Sequence, residues 1–454
     1  MKLFSNHASC SPSSRLVIYT ARDLTNHRIK PLQRLSPERR FEMQVVAQVL
    51  PFRVNHYVVE QLIDWDQVPD DPIFRMTFPQ REMLAEEDFN AMADLLRKEA
   101  DKKEIQSLAS QIRCRLNPHP AGQLELNRPK ESEGKIINGI QHKYRETVLF
   151  FPSQGQTCHS YCTFCFRWPQ FVGEASLRIA AREAQVLHNY LRRHQEVTDL
   201  LITGGDPMVM RARHLADYLA PLLAPEFDHI QTIRIGTKAL TYWPYRFLTD
   251  NDADDLFRLL ARIRQAGKHV ALMAHYNHGR ELEPPAARRA IARWRETGAV
   301  IRSQGPVLAQ INDNPDVWAS MWRSQVSLGV IPYYMFVERD TGPRQYFEVP
   351  LFRCWQIYQQ AIQQVSGLGR TARGPSMSAT PGKIEIQGVT EIQGEQVFAL
   401  RFLQGRSPDW VQRPFFAQFD ARATWIDQLK PAFGEKWFFF EEECHQRFSG
   451  GGAS

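Results

Sequence analysis

Val148-Leu149-Phe150-Phe151-Pro152-Ser153-Gln154-Gly155-Gln156-Thr157-Cys158-His159-Ser160-Tyr161-Cys162-Thr163-Phe164-Cys165 runs a short apolar, β-rich segment straight into a loop with three cysteines spaced C-x3-C-x2-C. Three of the seven cysteines in 454 residues fall inside eight positions, so they share a task. Three thiolates on one loop can hold three irons of a 4Fe-4S cube and leave the fourth iron open to a small molecule, whereas a cluster that only carries electrons takes four. A structural zinc site also wants four ligands. His159 could supply the fourth, but it sits between the cysteines at an awkward spacing. Cys10, Cys114, Cys354 and Cys444 stand alone and read as inert thiols.

Downstream the same strand-then-helix pattern repeats. The apolar runs Val148–Phe151, Asp199–Thr203, Ile233–Thr237, Val270–Tyr276, Val300–Leu308 and Val330–Val337 are each followed by a helical pattern: Arg178–Val197, Arg211–Leu223, Asp252–Gln265, Pro284–Thr297, Pro315–Leu328 and Leu351–Val365. Serial units of this kind imply parallel strands joined by right-handed crossovers. The expected fold class is α/β: a partial (β/α)6 barrel with a mostly helical N-terminal region and an α+β C-terminal extension, a doubly wound open sheet being the alternative. In a barrel the chemistry collects in loops after the C-terminal ends of the strands, where the cysteines lie.

The flanks divide the chain into residues 1–132, 133–366 and 367–454. The N-terminal third predicts helices from Ser36 to Val49, Glu86 to Lys103 and Lys102 to Leu116, then a Pro/Gly boundary at Pro118-His119-Pro120-Ala121-Gly122. After Gly367 comes a Gly/Pro/Ser-rich loop, short strands at Lys383–Gln387 and Val397–Phe402, an aromatic stretch from Trp437 to Phe440, and an end, Ser449 to Ser454, expected to be disordered.

Composition sets bounds. Lys plus Arg number 56 and Asp plus Glu 50, a surplus of six with the signs interspersed. That gives no case for nucleic acid or an anionic membrane as partner. No apolar run reaches the roughly 20 residues that cross a bilayer. Met1 to Ser14 lacks the apolar stretch of a signal peptide, which discounts Ala8-Ser9-Cys10 as a lipoprotein site. The expected location is cytoplasmic.

The cysteine spacing resembles the radical S-adenosylmethionine superfamily, and its surroundings resemble the lysine 2,3-aminomutase family. Tyr161 precedes the second cysteine and Arg167 follows the third by two residues. The likeness continues through Thr203-Gly204-Gly205-Asp206-Pro207, Ile233-Arg234-Ile235-Gly236-Thr237, His275-Tyr276-Asn277-His278, Ser303-Gln304-Gly305-Pro306-Val307-Leu308, Ile311-Asn312-Asp313, Pro332-Tyr333-Tyr334 and Pro381-Gly382-Lys383. It spans about His142 to Lys383, and its specificity lies in several motifs kept in one order.

The resemblance implies an isomerase, an amino-acid 2,3-aminomutase on a radical S-adenosylmethionine barrel. Its cofactors would be a 4Fe-4S cluster on Cys158, Cys162 and Cys165, S-adenosylmethionine and pyridoxal 5′-phosphate. Lys383 would bond the pyridoxal aldehyde, and Arg167 would hold the substrate carboxylate by a bidentate fork. Lys143 and Gln304 would contact the cofactor phosphate. Gly204, Gly205 and Asp206 would approach the methionine part of S-adenosylmethionine, and His275 its adenosyl group. Partners would be a small amino acid, a flavodoxin- or ferredoxin-type electron donor and further copies of the chain in a homo-oligomer. The alternative is a radical S-adenosylmethionine enzyme of another reaction type, such as one modifying a protein-bound lysine; a non-catalytic iron–sulfur or zinc module is the reading from another class.

The pattern departs from the family in four places. Thr147 stands where the family has a second phosphate-binding arginine, with Arg145 the nearby residue to replace it. Arg339, between Glu338 and Asp340, stands where the lysine-acting enzyme has an acid for the substrate ε-ammonium. Arg373 to Thr380, where a second acid belongs, has none. The C-terminal zinc cysteines are absent: only Cys444 lies in the tail. Lysine is therefore a doubtful substrate, and an inward-pointing Arg339 would suit an acidic one such as glutamate.

Overall fold

Alternation with period two builds the central sheet. In β6 (Thr232–Thr237), Ile233 and Ile235 are fully buried, while Arg234 and Gly236 line an internal cavity. The computed structural model describes residues 15–117, 126–131, 133–173 and 179–441. Its parallel strands are β4 (Thr147–Phe150), β5 (Asp199–Ile202), β6, β7 (His269–His275), β8 (Val300–Val307) and β9 (Ile331–Val337), paired in sequence order. Helices α5 (Ala184–Arg193), α6 (Ala212–Leu219), α8 (Ala253–Gln265), α9 (Pro285–Glu296), α10 (Pro315–Ser327) and α12 (Leu351–Gln363) connect or follow them, with short α7 (Ala239–Tyr242) and α11 (Arg344–Phe347) in two of the loops. The expected six units are present, in a mixed α/β fold.

The sheet has eleven strands and stays open. β3 (Ile140–Tyr144) pairs antiparallel with β4 at one edge. Beyond β9 come β10 (Arg373–Ser378), β11 (Gly382–Ile392), β12 (Glu395–Gly405) and β13 (Pro414–Gln418). β10 corrects the sequence reading, which took this Gly/Pro/Ser-rich stretch as loop; it pairs parallel with β9. Gly374 permits this: its φ is +142°, and a Cβ there would lie 2.2 Å from the Met335 carbonyl oxygen. β11 and β12 are longer than expected and form a hairpin through Gln393 and Gly394, both at positive φ.

In the N-terminal region, α1 (Pro37–Val49) starts on a Ser36 cap with proline in its first turn. The run expected from Glu86 to Lys103 is shorter: α3 (Glu86–Arg97) stops, Glu99 takes φ +50°, and Asp101 caps α4 (Lys102–Leu116) by accepting from the Lys103 and Glu104 amides. Local side-chain capping beats helix propensity here. α2 (Pro72–Thr77) and a two-stranded sheet, β1 (Ile18–Thr20) with β2 (Arg53–Asn55), make the region less purely helical than expected. Two apolar cores result. One fills the space between sheet and helices and takes in Phe438 and Phe440. The other joins α1 to α4 to Phe164, Trp168 and Trp243 around the cysteine loop. The Pro118–Gly122 boundary, residue 132, Cys10, Cys444 and Ser449–Ser454 lie outside the described residues. No helix among the described residues is long and apolar enough to cross a membrane.

Candidate active site

A cavity of about 350 Å³ runs through the barrel interior from the loops after β4 and β5 to the start of β11. Cys158, Cys162, Cys165, Arg167, Gly204, Gly205, Asp206, His275, Gln304, Lys143 and Lys383 all line it. These residues, from Lys143 to Lys383, meet in one space although they are 240 positions apart in the chain.

The cysteine loop is held mainly by the N-terminal region. Tyr161 N–H donates to the Arg53 carbonyl at 2.8 Å, and Thr163 N–H to that of Met76 at 2.9 Å. Asn55, fully buried in β2, donates through Nδ2 to the carbonyls of His159 (3.2 Å) and Tyr242 (2.8 Å), and its N–H donates to Ser160 Oγ at 3.1 Å. No sequence signal tied Asn55 to the cysteines. Gly204 and Gly205 do their packing against the same loop: a Cβ on Gly205 would sit 2.5 Å from the Thr157 carbonyl oxygen, and one on Gly204 2.4 Å from Gln156 Nε2. Their lack of side chains lets the β5 loop touch the cysteine loop.

The three cysteines are free thiols facing the cavity. Burial pushes Cys162 up to about 12, with Cys165 also raising it, and pushes Cys165 up to about 11. Cys158 is driven well above the ordinary thiol range by burial, then by Asp206 and the other two thiols. A cation that neutralises three crowded thiolates would reverse these shifts, which fits a metal cluster. His159 is buried, and burial lowers it to about 3.

Asp206 is almost fully occupied by the fold. It accepts from Thr237 Oγ1 at 2.6 Å and from the amides of Met208 and Lys238 at 2.9 Å each. Burial nevertheless lifts it to about 6. Its carboxylate clasps the β5 and β6 loops. Lys238, overlooked in the sequence, enters the cavity wall and pairs with fully buried Glu281 at 2.5 Å, beside Asn277 Oδ1 at 3.0 Å. His275 stacks on Phe164, burial holds it at about 3 and hence neutral, and its buried Nδ1 has no hydrogen-bond partner. Such an orphaned acceptor or donor beside an aromatic ring suits an adenine-like ligand.

Arg167 donates through Nη1 to Thr203 Oγ1 at 2.6 Å and to the Gly204 carbonyl at 2.9 Å, between the rings of Phe151 and Phe166. Burial lowers it to about 10, still a cation at neutral pH. At the other end, Lys383 is the second residue of β11, in the strand expected from Lys383 to Gln387, with Nζ 3.9 Å from the Tyr334 ring centre. Burial lowers it to about 7, helped by the positive charges of Arg234 and Arg373. A substantial fraction of its amine is therefore neutral near pH 7 and nucleophilic, which fits a residue that bonds an aldehyde. Lys143 donates to the Ala379 carbonyl, and burial holds it well below the usual lysine range. Arg145 is exposed at the β3–β4 turn and does not line the cavity. The cation beside Thr147 comes from Arg234 on β6 instead. Asp199 binds both residues, accepting from Thr147 Oγ1 at 2.9 Å and from Arg234 Nε at 2.7 Å.

The chain is 30% identical over 401 residues, 88% of its length and 93% of the other's, to an Aquifex aeolicus protein named "Putative L-lysine 2,3-aminomutase". It is 25% identical over 326 residues to the L-lysine 2,3-aminomutase of Methanococcus maripaludis, covering 72% of this chain and 64% of that one. To the L-lysine 2,3-aminomutase of Escherichia coli K12 it is 27% identical over 265 residues, 57% of this chain and 72% of that one. Among solved structures, Streptococcus suis SuiB bound to S-adenosylmethionine aligns with a TM-score of 0.35 and 14% identity over 61% of this chain and 58% of that one. No protein-family model matches the chain.

Proposed function

Because the chain belongs to the lysine 2,3-aminomutase family of radical S-adenosylmethionine enzymes, we propose that it is an amino-acid 2,3-aminomutase, an isomerase that moves an α-amino group to the neighbouring β carbon with pyridoxal phosphate. The observation that carries this reading is the shared cavity: three free cysteines at one end and, at the other, a buried lysine, Lys383, whose proton affinity burial lowers to about 7.

When bound, the cluster, S-adenosylmethionine and pyridoxal phosphate supply an electron, a carbon radical able to take an unactivated Cβ hydrogen, and a carrier for the migrating nitrogen. The protein's residues hold and orient. Cys158, Cys162 and Cys165 hold the cluster, fixed by β2 and by the glycines after β5. His275 and the backbone at Gly204–Asp206 face the S-adenosylmethionine side. Lys383, as a neutral amine, would be the residue that holds the pyridoxal aldehyde, and Lys143, Gln304 and Arg234 would offer donors to the phosphate. Arg167 grips the substrate α-carboxylate and fixes which hydrogen faces the radical. The aromatic wall of Phe164, Phe166, Tyr334 and Phe336 excludes water from the reacting carbon. The reading includes a flavodoxin- or ferredoxin-type donor and a homo-oligomeric assembly.

The test is anaerobic. Protein reconstituted with iron, sulfide, S-adenosylmethionine and pyridoxal phosphate is reduced in a mixture of amino acids, and products are read by mass spectrometry. A β-amino isomer together with 5′-deoxyadenosine is expected. Release of 5′-deoxyadenosine with no isomer would point to another radical reaction, such as modification of a protein-bound lysine.

A further inference from the structure

We propose that the substrate is a dicarboxylic amino acid, of the aspartate or glutamate class, whose side-chain carboxylate is gripped by Arg339. This rests on the aminomutase reading and names its substrate.

Arg339 follows β9, lines the cavity and is only 13% exposed. Its Nε and Nη2 are buried with no hydrogen-bond partner. The carboxylate nearest in sequence, Asp340, stands 3.9 Å away, beyond hydrogen-bond reach. Aromatic faces flank the guanidinium: Phe166 at 5.0 Å and Trp425 at 6.0 Å. Stacked, and paired with Asp340 only at a distance, it is a planar fork whose Nε and Nη2 have no hydrogen-bonded anion. Buried donors of this kind are costly unless something accepts from them. Lysine's ammonium brings only donors and a like charge, apolar side chains bring no acceptor, and amides or hydroxyls bring a single neutral oxygen; a carboxylate brings four lone pairs and the opposite charge in the matching geometry.

The position fits as well. Arg167 and Arg339 each lie 5.0 Å from the centre of the same Phe166 ring, so the two guanidinium groups are no further apart than the sum of those separations. That span suits a short molecule with a carboxylate at each end: α-carboxylate on Arg167, side-chain carboxylate on Arg339. The acids that an ε-ammonium would need are not offered. Asp206 is engaged in three hydrogen bonds, Glu281 is paired with Lys238, and Asp340 does not line the cavity. Glu338 does line it, but burial drives it towards the neutral acid, which can donate to a carboxylate.

The experiment uses the full chain, reconstituted with its cluster and pyridoxal phosphate and left unreduced. L-glutamate, L-aspartate, L-lysine and L-leucine are titrated in, and the shift of the pyridoxal absorbance band gives each affinity. Glutamate or aspartate should bind at least about tenfold more tightly than lysine or leucine. Arg339→Gln should collapse that preference, and Arg339→Lys, which keeps the charge, should restore part of it. Tightest binding of lysine, or an Arg339→Gln protein that retains the preference, overturns the proposal. So does an Arg339→Gln protein that loses pyridoxal phosphate but not pyridoxal, since Arg339 would then serve the cofactor phosphate. If no amino acid moves the band of the pyridoxal-loaded protein, the aminomutase reading itself falls, and this proposal with it.

Discussion

At the cysteine end of the cavity, Lys238 meets Glu281 at 2.5 Å, Asp206 accepts three hydrogen bonds, and Asn55 satisfies two loop carbonyls. At the lysine end, among the described residues, Lys383 has no ion-pair partner, Lys143 donates to a backbone carbonyl, and Arg339 keeps two buried donors without a hydrogen bond. The first end is a finished scaffold whose polar groups are committed to shape. The second is a collection of donors and amines whose energetic balance needs anionic ligands, a phosphate and carboxylates. Stability is concentrated where the cluster loop must be rigid, and unmet hydrogen-bonding capacity where substrate and cofactor would exchange.

The comparison is broken most severely at the cysteines. Cys162→Ala should reduce bound iron to background and abolish production of 5′-deoxyadenosine, because no other described thiol lines the cavity. Iron analysis of the reconstituted protein checks it. Next comes Lys383→Ala, which should remove the borohydride-reducible pyridoxal adduct and all mutase activity while leaving iron content intact. In the unsubstituted protein the rate of pyridoxal capture should rise with pH and level off above about 7, not near the ordinary lysine range.

The same lysine gives a stability signature. Its proton affinity is about 7 in the fold against an ordinary 10.5, so between those values the unfolded chain holds more protons. Stability of the cofactor-free protein should therefore rise with pH from about 7 to 10.5 through this group. Lys383→Met should be more stable than the parent at pH 7, on the order of a few kcal/mol, with the gap closing by pH 10. Melting temperatures at pH 6, 8 and 10 would show it; a gap that did not change with pH would contradict the assignment. The smallest effect is at the scaffold: Asn55→Ala should cost about 1–3 kcal/mol by stranding buried carbonyls. It should also speed iron loss to a chelator, a readout that simple loss of core packing far from the loop would not move.

Much of this was legible beforehand where chemistry and repetition coincide. The six βα units declare themselves because strand and helix periods differ and each unit is short. The cysteines and Lys383 sit in motifs whose order constrains one another. Asn55, Lys238 and Arg234 were not legible as site residues, because nothing local distinguishes a buried amide or cation that bonds across the sheet from one that faces water. β10 was missed for the opposite reason: its composition reads as loop, and only pairing with β9 makes it a strand. Arg145 was the nearest cation in sequence to Thr147, yet the turn between β3 and β4 leaves it exposed and Arg234 arrives from two strands away.

The amino-acid sequence alone determined the α/β class with six strand–helix units, the three-thiol loop and the lysine candidate at Lys383. Those are statements about periodicity and residue identity along a line. Tertiary structure decided that the N-terminal helices brace the cysteine loop, that the cysteines and Lys383 share one cavity, and that Arg339, with two buried donors unpaired, lines it. Each of these depends on distances between residues far apart in the chain, and desolvation and hydrogen-bond satisfaction are set only once those distances exist.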